Sequence, residues 1–160
     1  MGTAVKEPLA AEVATGWEGR LAAEVDRRRS MPFEWGVNDC AMFMVGVVEA
    51  MTGRRVWCRE YCSAKEAVQI ITEGGGLRAI LATVAEREGW APLSRPQYRA
   101  QRGDVVLVAD FAARECLGVC VGSQAATAGE HGAAFFPMAH VVEAWRVPKV
   151  AHKSEPDIEN

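Results

Sequence analysis

Apolar positions in the first half of the chain recur at helical spacing. In "AAEVATGWEGRLAAEVDRRR", Val13, Trp17, Leu21, Ala22 and Val25 fall at steps of four, four, one and three, which is one face of an amphipathic helix. Gly16 and Gly19 weaken its first turns. Pro32 ends the segment, and "FEWGVN" reads as a loop in which Gly36 is free to take an unusual backbone angle. From Cys40 to Met51 ("CAMFMVGVVEAM") nearly every position is apolar, and Thr52-Gly53 closes the run. This pattern predicts a central helix buried on all sides, with Asn38 or Asp39 as its N-cap. Ser63 and Glu66 form an S-x-x-E capping box that opens a short helix from Ser63 to Glu73. "GGG" at 74–76 stops it, and Leu77 to Glu88 places Leu77, Ile80, Leu81 and Val84 on one face of another helix.

From Gln101 onward the period changes. "RGDVVLVAD" reads as a turn and a buried strand, "LGVCVGSQAAT" as a second strand, "GAAFFPM" as a third and "VVEAWRV" as a fourth. Helices followed by an antiparallel meander make an α+β layout, with the central helix packed on a C-terminal sheet. There is no internal repeat. We expect one domain over residues 1–160 with a core from about 9 to 148. The tails, 1–8 and 149–160, are too polar to order themselves by burial, and partners are expected to hold them.

Composition narrows the functional classes. A chain of 160 residues, 49% hydrophobic and 24% charged, suits one ordinary core. The formal net charge is −3, and the basic residues are scattered apart from Arg27-Arg28-Arg29 and Arg54-Arg55, which argues against nucleic acid as a partner. No apolar run approaches the roughly 20 residues that cross a bilayer, so no membrane span is expected. "MGTAVKEPLAAEV" lacks the basic head and apolar centre of a signal peptide, so we expect the protein to be made in the cytoplasm. Five cysteines is an odd number, and reduced thiols are expected there.

Cys40 carries the candidate chemistry. A cysteine in the first turn of a helix feels the positive end of the macrodipole, and its pKa is expected to fall from about 8.5 into a range of roughly 3.5 to 7.5. Cysteine hydrolases prepare a nucleophile in this way. The alternative is a small buried residue packed under the sheet.

Asp39-Cys40 opening a buried helix, followed about sixty residues later by "RGDVVLV" and then "CLGVCVG", resembles the NlpC-type papain-like cell-wall peptidases. In that family a D-C pair starts the central helix, R-G-D leads into the first strand, and the next strand reads H-V-G-I-Y-V-G with the catalytic histidine first. "W-E-x-R-L", "PFEWGVNDC", "RGDVVLV", "LGVCVG" and "AWRV" are more specifically similar to a tail subfamily of phages and gene-transfer agents, the phage cell-wall peptidases. The resemblance implies a papain-type fold, Cys40 as nucleophile and Asp39 as its support. It also implies a place in the virion tail among distal tail, hub and tape-measure proteins, with assembly in the bacterial host cytoplasm.

One position departs from that pattern. Alignment of "CLGVCVG" on the family's strand puts Cys116 where the catalytic histidine belongs, and a thiol cannot hold and deliver the nucleophile's proton near neutral pH as an imidazole does. Three histidines remain: His131 in a loop between strands, His140 just before the last strand, and His152 in the tail. His140 is the first choice as an alternative base. No metal site is expected. Cys116 and Cys120 on one strand would stand about 13 Å apart and cannot share a zinc, and Cys58 and Cys62 supply only two ligands. No cofactor is expected, since "GGG" has no strand before it and no Lys-Ser/Thr after it. The five tryptophans read as core or interface residues rather than a sugar-stacking surface, and Asp104 reads as a turn or strand-start residue.

Two functions follow as expectations. The first is a structural component of a tail tip or baseplate whose peptidase fold has lost its base. The second is an active cysteine peptidase that cleaves peptidoglycan peptides during genome delivery.

Overall fold

A computed structural model describes residues 16–149. They form a mixed α+β domain of helices followed by one six-stranded antiparallel sheet. The expectations for Val13, for His152 and for the tails fall on or extend into residues outside this range.

The first helix of the described residues, α1 (Trp17–Arg28), begins later than the apolar pattern suggested, because Gly16 is extended (φ −66°, ψ 148°) and acts as the N-cap. Leu21 and Val25 turn inward. α2 (Cys40–Thr52) is the central helix, and Phe43, Val45, Val47, Val48 and Met51 are all at most 1% exposed. It runs antiparallel to α1. The Arg20 guanidinium donates to Ala50 O and Met51 O at one end of the pair, and Arg28 donates to Asn38 Oδ1 at the other.

An irregular stretch leads from Gly53 to α3 (Ala64–Glu73), which Ser63 caps by accepting from Glu66 N–H. Glu66 accepts in turn from Cys62 N–H. α4 (Leu77–Glu88) has the expected limits and buries Leu81, Val84 and Ala85. Among the described residues no helix is long and apolar enough to cross a membrane.

The sheet differs from a four-strand meander. Its strands are β1 (Ala91–Pro92), β2 (Val105–Ala109), β3 (Glu115–Cys120), β4 (Gln124–Gly129), β5 (Gly132–Pro137) and β6 (Val141–Arg146). They lie in the order β1-β6-β2-β3-β4-β5. "LGVCVGSQAAT" is therefore two strands, since Gly122 takes φ 126° and turns the chain. β6 returns beside β2 instead of extending the meander, with a register shift between Leu107 and Val108. A single turn of helix, α5 (Pro96–Arg99), lies between β1 and β2.

The run "VVLV" is apolar without alternation because both faces of β2 are covered. Val105 and Leu107 join Leu117, Val119 and Trp145 against the helices. Val106 and Val108 join Cys120, Ala125, Val141 and Ala144 on the other face, where Leu93, Ala100, Phe136 and Met138 pack on them. At about 25 cal/mol per Å² of apolar surface removed from water, each buried side chain of α2 and of the inner strand face adds to the hydrophobic stabilisation.

Asp104 does more than start a strand. It is completely buried, accepts from Gln101 N–H at 2.8 Å, and receives Arg146 Nε and Lys149 Nζ at 3.0 Å each. A buried carboxylate needs such partners.

Candidate active site

The chain enters α2 through a tightly bonded turn. Asn38 is fully buried, and its amide donates to Met31 O and Pro32 O. Its Oδ1 accepts from Arg28 Nη1 at 2.8 Å. Arg28 is itself buried and also donates to Glu24 Oε2 at 2.6 Å. Burial would raise the Glu24 carboxyl, but hydrogen bonds from Arg27 and Arg28 outweigh it and hold the group below its usual range.

Asp39 is the N-cap. Its Oδ1 accepts from Met42 N–H at 2.8 Å, and its Oδ2 accepts from Gly36 N–H at 2.9 Å and from the Tyr61 hydroxyl at 2.6 Å. Gly36 has φ 80°, and a Cβ there would run into the Tyr61 carbonyl. Only glycine fits this turn.

Cys40 occupies the first position of α2 at the edge of a cavity of about 790 Å³. Strands β3 to β5 wall one side, and α2 to α4 with the Gly53–Tyr61 stretch wall the other. Its lining includes apolar side chains such as Met44, Ile71, Leu81 and Val84 and the polar or thiol-bearing Asp39, Cys40, Tyr61, Cys116 and Thr127.

The Cys40 thiol behaves contrary to the helix-dipole expectation. Part of the residue is exposed, but the sulfur is surrounded by protein, and burial pushes the thiol up to about 12. Backbone groups of Leu117 and Ala41 oppose the rise, while Cys116 and Asp39 add to it. The physical reason is above all burial, which disfavours the charged form more than the helix end favours it. The Asp39 carboxylate, which already answers the positive end of α2, adds a smaller push in the same direction.

Cys116 lies in β3, second in the strand after Glu115 rather than first. It lines the cavity with Cys40 and packs on the outer-face cluster of Val106 and Val108. Burial raises its thiol too, the largest effect on it, and Thr127 opposes the rise. Thr127 is buried and donates its hydroxyl to Leu117 O at 2.5 Å.

The two histidines among the described residues stand elsewhere. His140 ends a 3-10 turn (Met138–His140), where Nδ1 meets Ala109 O at 2.8 Å and the ring lies edge-on to Phe111 at 4.7 Å. His131 sits in the β4–β5 turn with its side chain 90% exposed. Neither lines the cavity.

All five cysteines are free thiols. Among the described residues no three His, Cys, Asp or Glu side chains gather as a metal set. Trp90 and Trp145 are buried, Trp17 and Trp57 pack on the core, and Trp35 is 38% exposed and lines the cavity.

Tyr61, Thr127 and Arg28 were not singled out from the sequence. Tyr61 lies in a stretch with no periodicity, and Thr127 owes its role to strand pairing. Only Arg28 left a trace, as the partner of Glu24 one helical turn earlier.

Residues 12–147 match a family model described as domain of unknown function (DUF6950). No curated protein matches the chain.

Proposed function

The chain belongs to the DUF6950 family, and we propose that it is a structural component of a phage or phage-like tail tip or baseplate, built on an NlpC-like papain-type fold that has lost its peptidase chemistry. One observation carries the loss of chemistry: the cavity beside Cys40 contains no imidazole from the described residues, and its thiol is held protonated. A pKa near 12 leaves roughly one thiolate in 10⁵ at neutral pH. Neither Cys116 nor Thr127 is a base able to change that.

The tail assignment is supported by the resemblance of "PFEWGVNDC", "RGDVVLV", "CLGVCVG" and "AWRV" to the phage tail subfamily. On this reading the protein works in the virion, assembled in the host cytoplasm, and its partners are distal tail, hub and tape-measure proteins.

The second reading is a cysteine endopeptidase with Cys40 as nucleophile, Asp39 as support and His140 as the candidate base. It is favoured by the position of Cys40 at a helix start in a half-open cleft. Mass spectrometry of purified particles and digestion of muropeptides by the purified protein separate the two. The structural reading expects the protein in particles and intact muropeptides. Cleavage by the wild type that disappears in Cys40→Ala overturns it.

A further inference from the structure

We propose that the cavity beside Cys40 receives a segment of a partner protein in which an apolar or aromatic side chain is flanked by lysine or arginine. The inference rests on the reading of the chain as a component of an assembled particle and names the kind of partner its cleft fits.

The first support is the shape and lining of the cleft. A cavity of about 790 Å³ is in the range of recognition sites, roughly 300 to 1,000 Å³. Against its apolar lining water finds few hydrogen-bond partners, so an entering apolar side chain displaces water that is easily released.

The second is the aromatic part of its lining, which neighbouring rings and a bonded turn support. Trp35 stands edge-on to Phe33 at 4.8 Å, and both line the cavity. Phe136 also lines it and leans towards Phe111 at 6.0 Å. Phe111 is 83% exposed on the β2–β3 turn. That turn is braced, since the Asp110 carboxylate accepts from Ala112 N–H at 2.8 Å and Arg114 N–H at 2.9 Å. Exposed aromatics held in place lose little freedom on binding and are the residue type that dominates protein interfaces.

The third is the sign of the charge. The lining carries Asp39, Asp110, Glu115 and Glu130 against Arg114 alone. Arg114 pairs with Asp110 at 3.2 Å and Arg78 reaches Glu115 at 2.7 Å, which leaves Asp39 and Glu130 as the excess of negative charge. The Glu130 side chain is 84% exposed and lies 3.9 Å from the His131 ring nitrogen Nε2. A complementary segment is cationic. Nucleic acid and anionic membrane surfaces meet the wrong sign.

The test uses two short synthetic peptides with a Phe-Leu centre, one flanked by lysines and one by glutamates, followed by fluorescence anisotropy against the full chain. The lysine peptide is expected to bind about tenfold or more tightly than its counterpart, with an advantage that shrinks as salt rises. Glu130→Lys and Phe111→Ser, both on exposed turns, should each weaken it several-fold, and the bound peptide should slow alkylation of Cys40 but not of Cys58. Equal binding of the two peptides overturns the proposal. So does binding that ignores both substitutions and leaves Cys40 unprotected, or preferential occupation of the cleft by muropeptides. If the protein is found in particles and these peptide results fail, the inference alone falls. If the peptide results hold and the protein is absent from particles, the particle reading falls.

Discussion

The Tyr61 hydroxyl donates to Asp39 Oδ2 at 2.6 Å, joining the irregular stretch after α2 to the carboxylate that caps the same helix. Asp39 also accepts from Gly36 and Met42 N–H, so one side chain fixes the helix start, the loop before it and the wall of the cavity. Tyr61→Phe removes one charge-assisted bond and should lower stability by about 1.5 to 3 kcal/mol. Asp39→Ala leaves several donors unpaired and should lower it further. Urea titration of both variants measures this, and a Tyr61→Phe variant as stable as wild type would mean that the bond contributes nothing.

Cys40 should be a slow nucleophile. Its thiol is pushed up to about 12 by burial, whereas Cys58 is exposed. Iodoacetamide at pH 8, followed by peptide mapping, should label Cys58 well before Cys40. The folded value lies above the ordinary thiol value, so the folded state holds its proton longer than the unfolded one. This contribution to stability is complete below the ordinary thiol pKa and is lost as pH rises from there towards 12. Cys40→Ser should therefore flatten the alkaline limb of the stability curve.

Gly46 lies in α2 against the Arg28 guanidinium, and a Cβ there would come within 2.5 Å of Nη2. By helix propensity alone Gly46→Ala should gain about 1 kcal/mol. Because Arg28 is buried and pinned by Glu24 and Asn38, the substitution should destabilise instead. Thermal melts of Gly46→Ala, Arg28→Ala and the double variant give a cycle in which the effects are strongly non-additive. A net gain from Gly46→Ala would show that Arg28 moves aside freely.

Acid should weaken the α1–α2 junction through Glu24. Hydrogen bonds from Arg27 and Arg28 outweigh burial and depress its carboxyl, so its stabilising contribution is present above the ordinary carboxylate pKa. That contribution is lost as pH falls through the lower folded value. Glu24→Gln should show less acid dependence than wild type in a series of denaturation curves, and parallel curves would rule this source out.

The legible parts of the fold are those set by local pattern. α2 announced itself through thirteen residues of nearly unbroken apolar character, and Asp39 and Ser63 were visible as caps because capping uses few residue types at fixed positions. β1 and α5 were not visible. Ala91 and Pro92 are a strand only because Arg146 and Trp145 lie opposite them, a relation no local window contains. The site was half legible. Cys40 could be placed at the start of a helix, but the direction of its pKa is set first by burial, with a smaller contribution from Cys116, and both come from distant parts of the chain that folding brings together. A helix dipole read without the burial of the thiol gives the wrong sign.

Asp104 supports the final prediction because it joins the start of β2 to the end of β6. Its buried carboxylate receives Arg146 and Lys149, while its carbonyl accepts from Cys120 N–H at 2.8 Å and so also fixes the end of β3. Asp104→Asn keeps the shape and removes the charge, leaving two cations without their counter-ion. Breaking a buried pair in this way costs about 3 to 5 kcal/mol. Arg146 is partly exposed and can recover some solvation, so the loss should fall towards the lower end. A double variant with Arg146→Met should be less damaging than the sum of its parts, because the residue left unpaired by the first change is gone. Urea denaturation of the set decides. Simple additivity would mean that Arg146 and Asp104 stabilise the sheet independently, and that β2 and β6 are held by their backbone ladder alone.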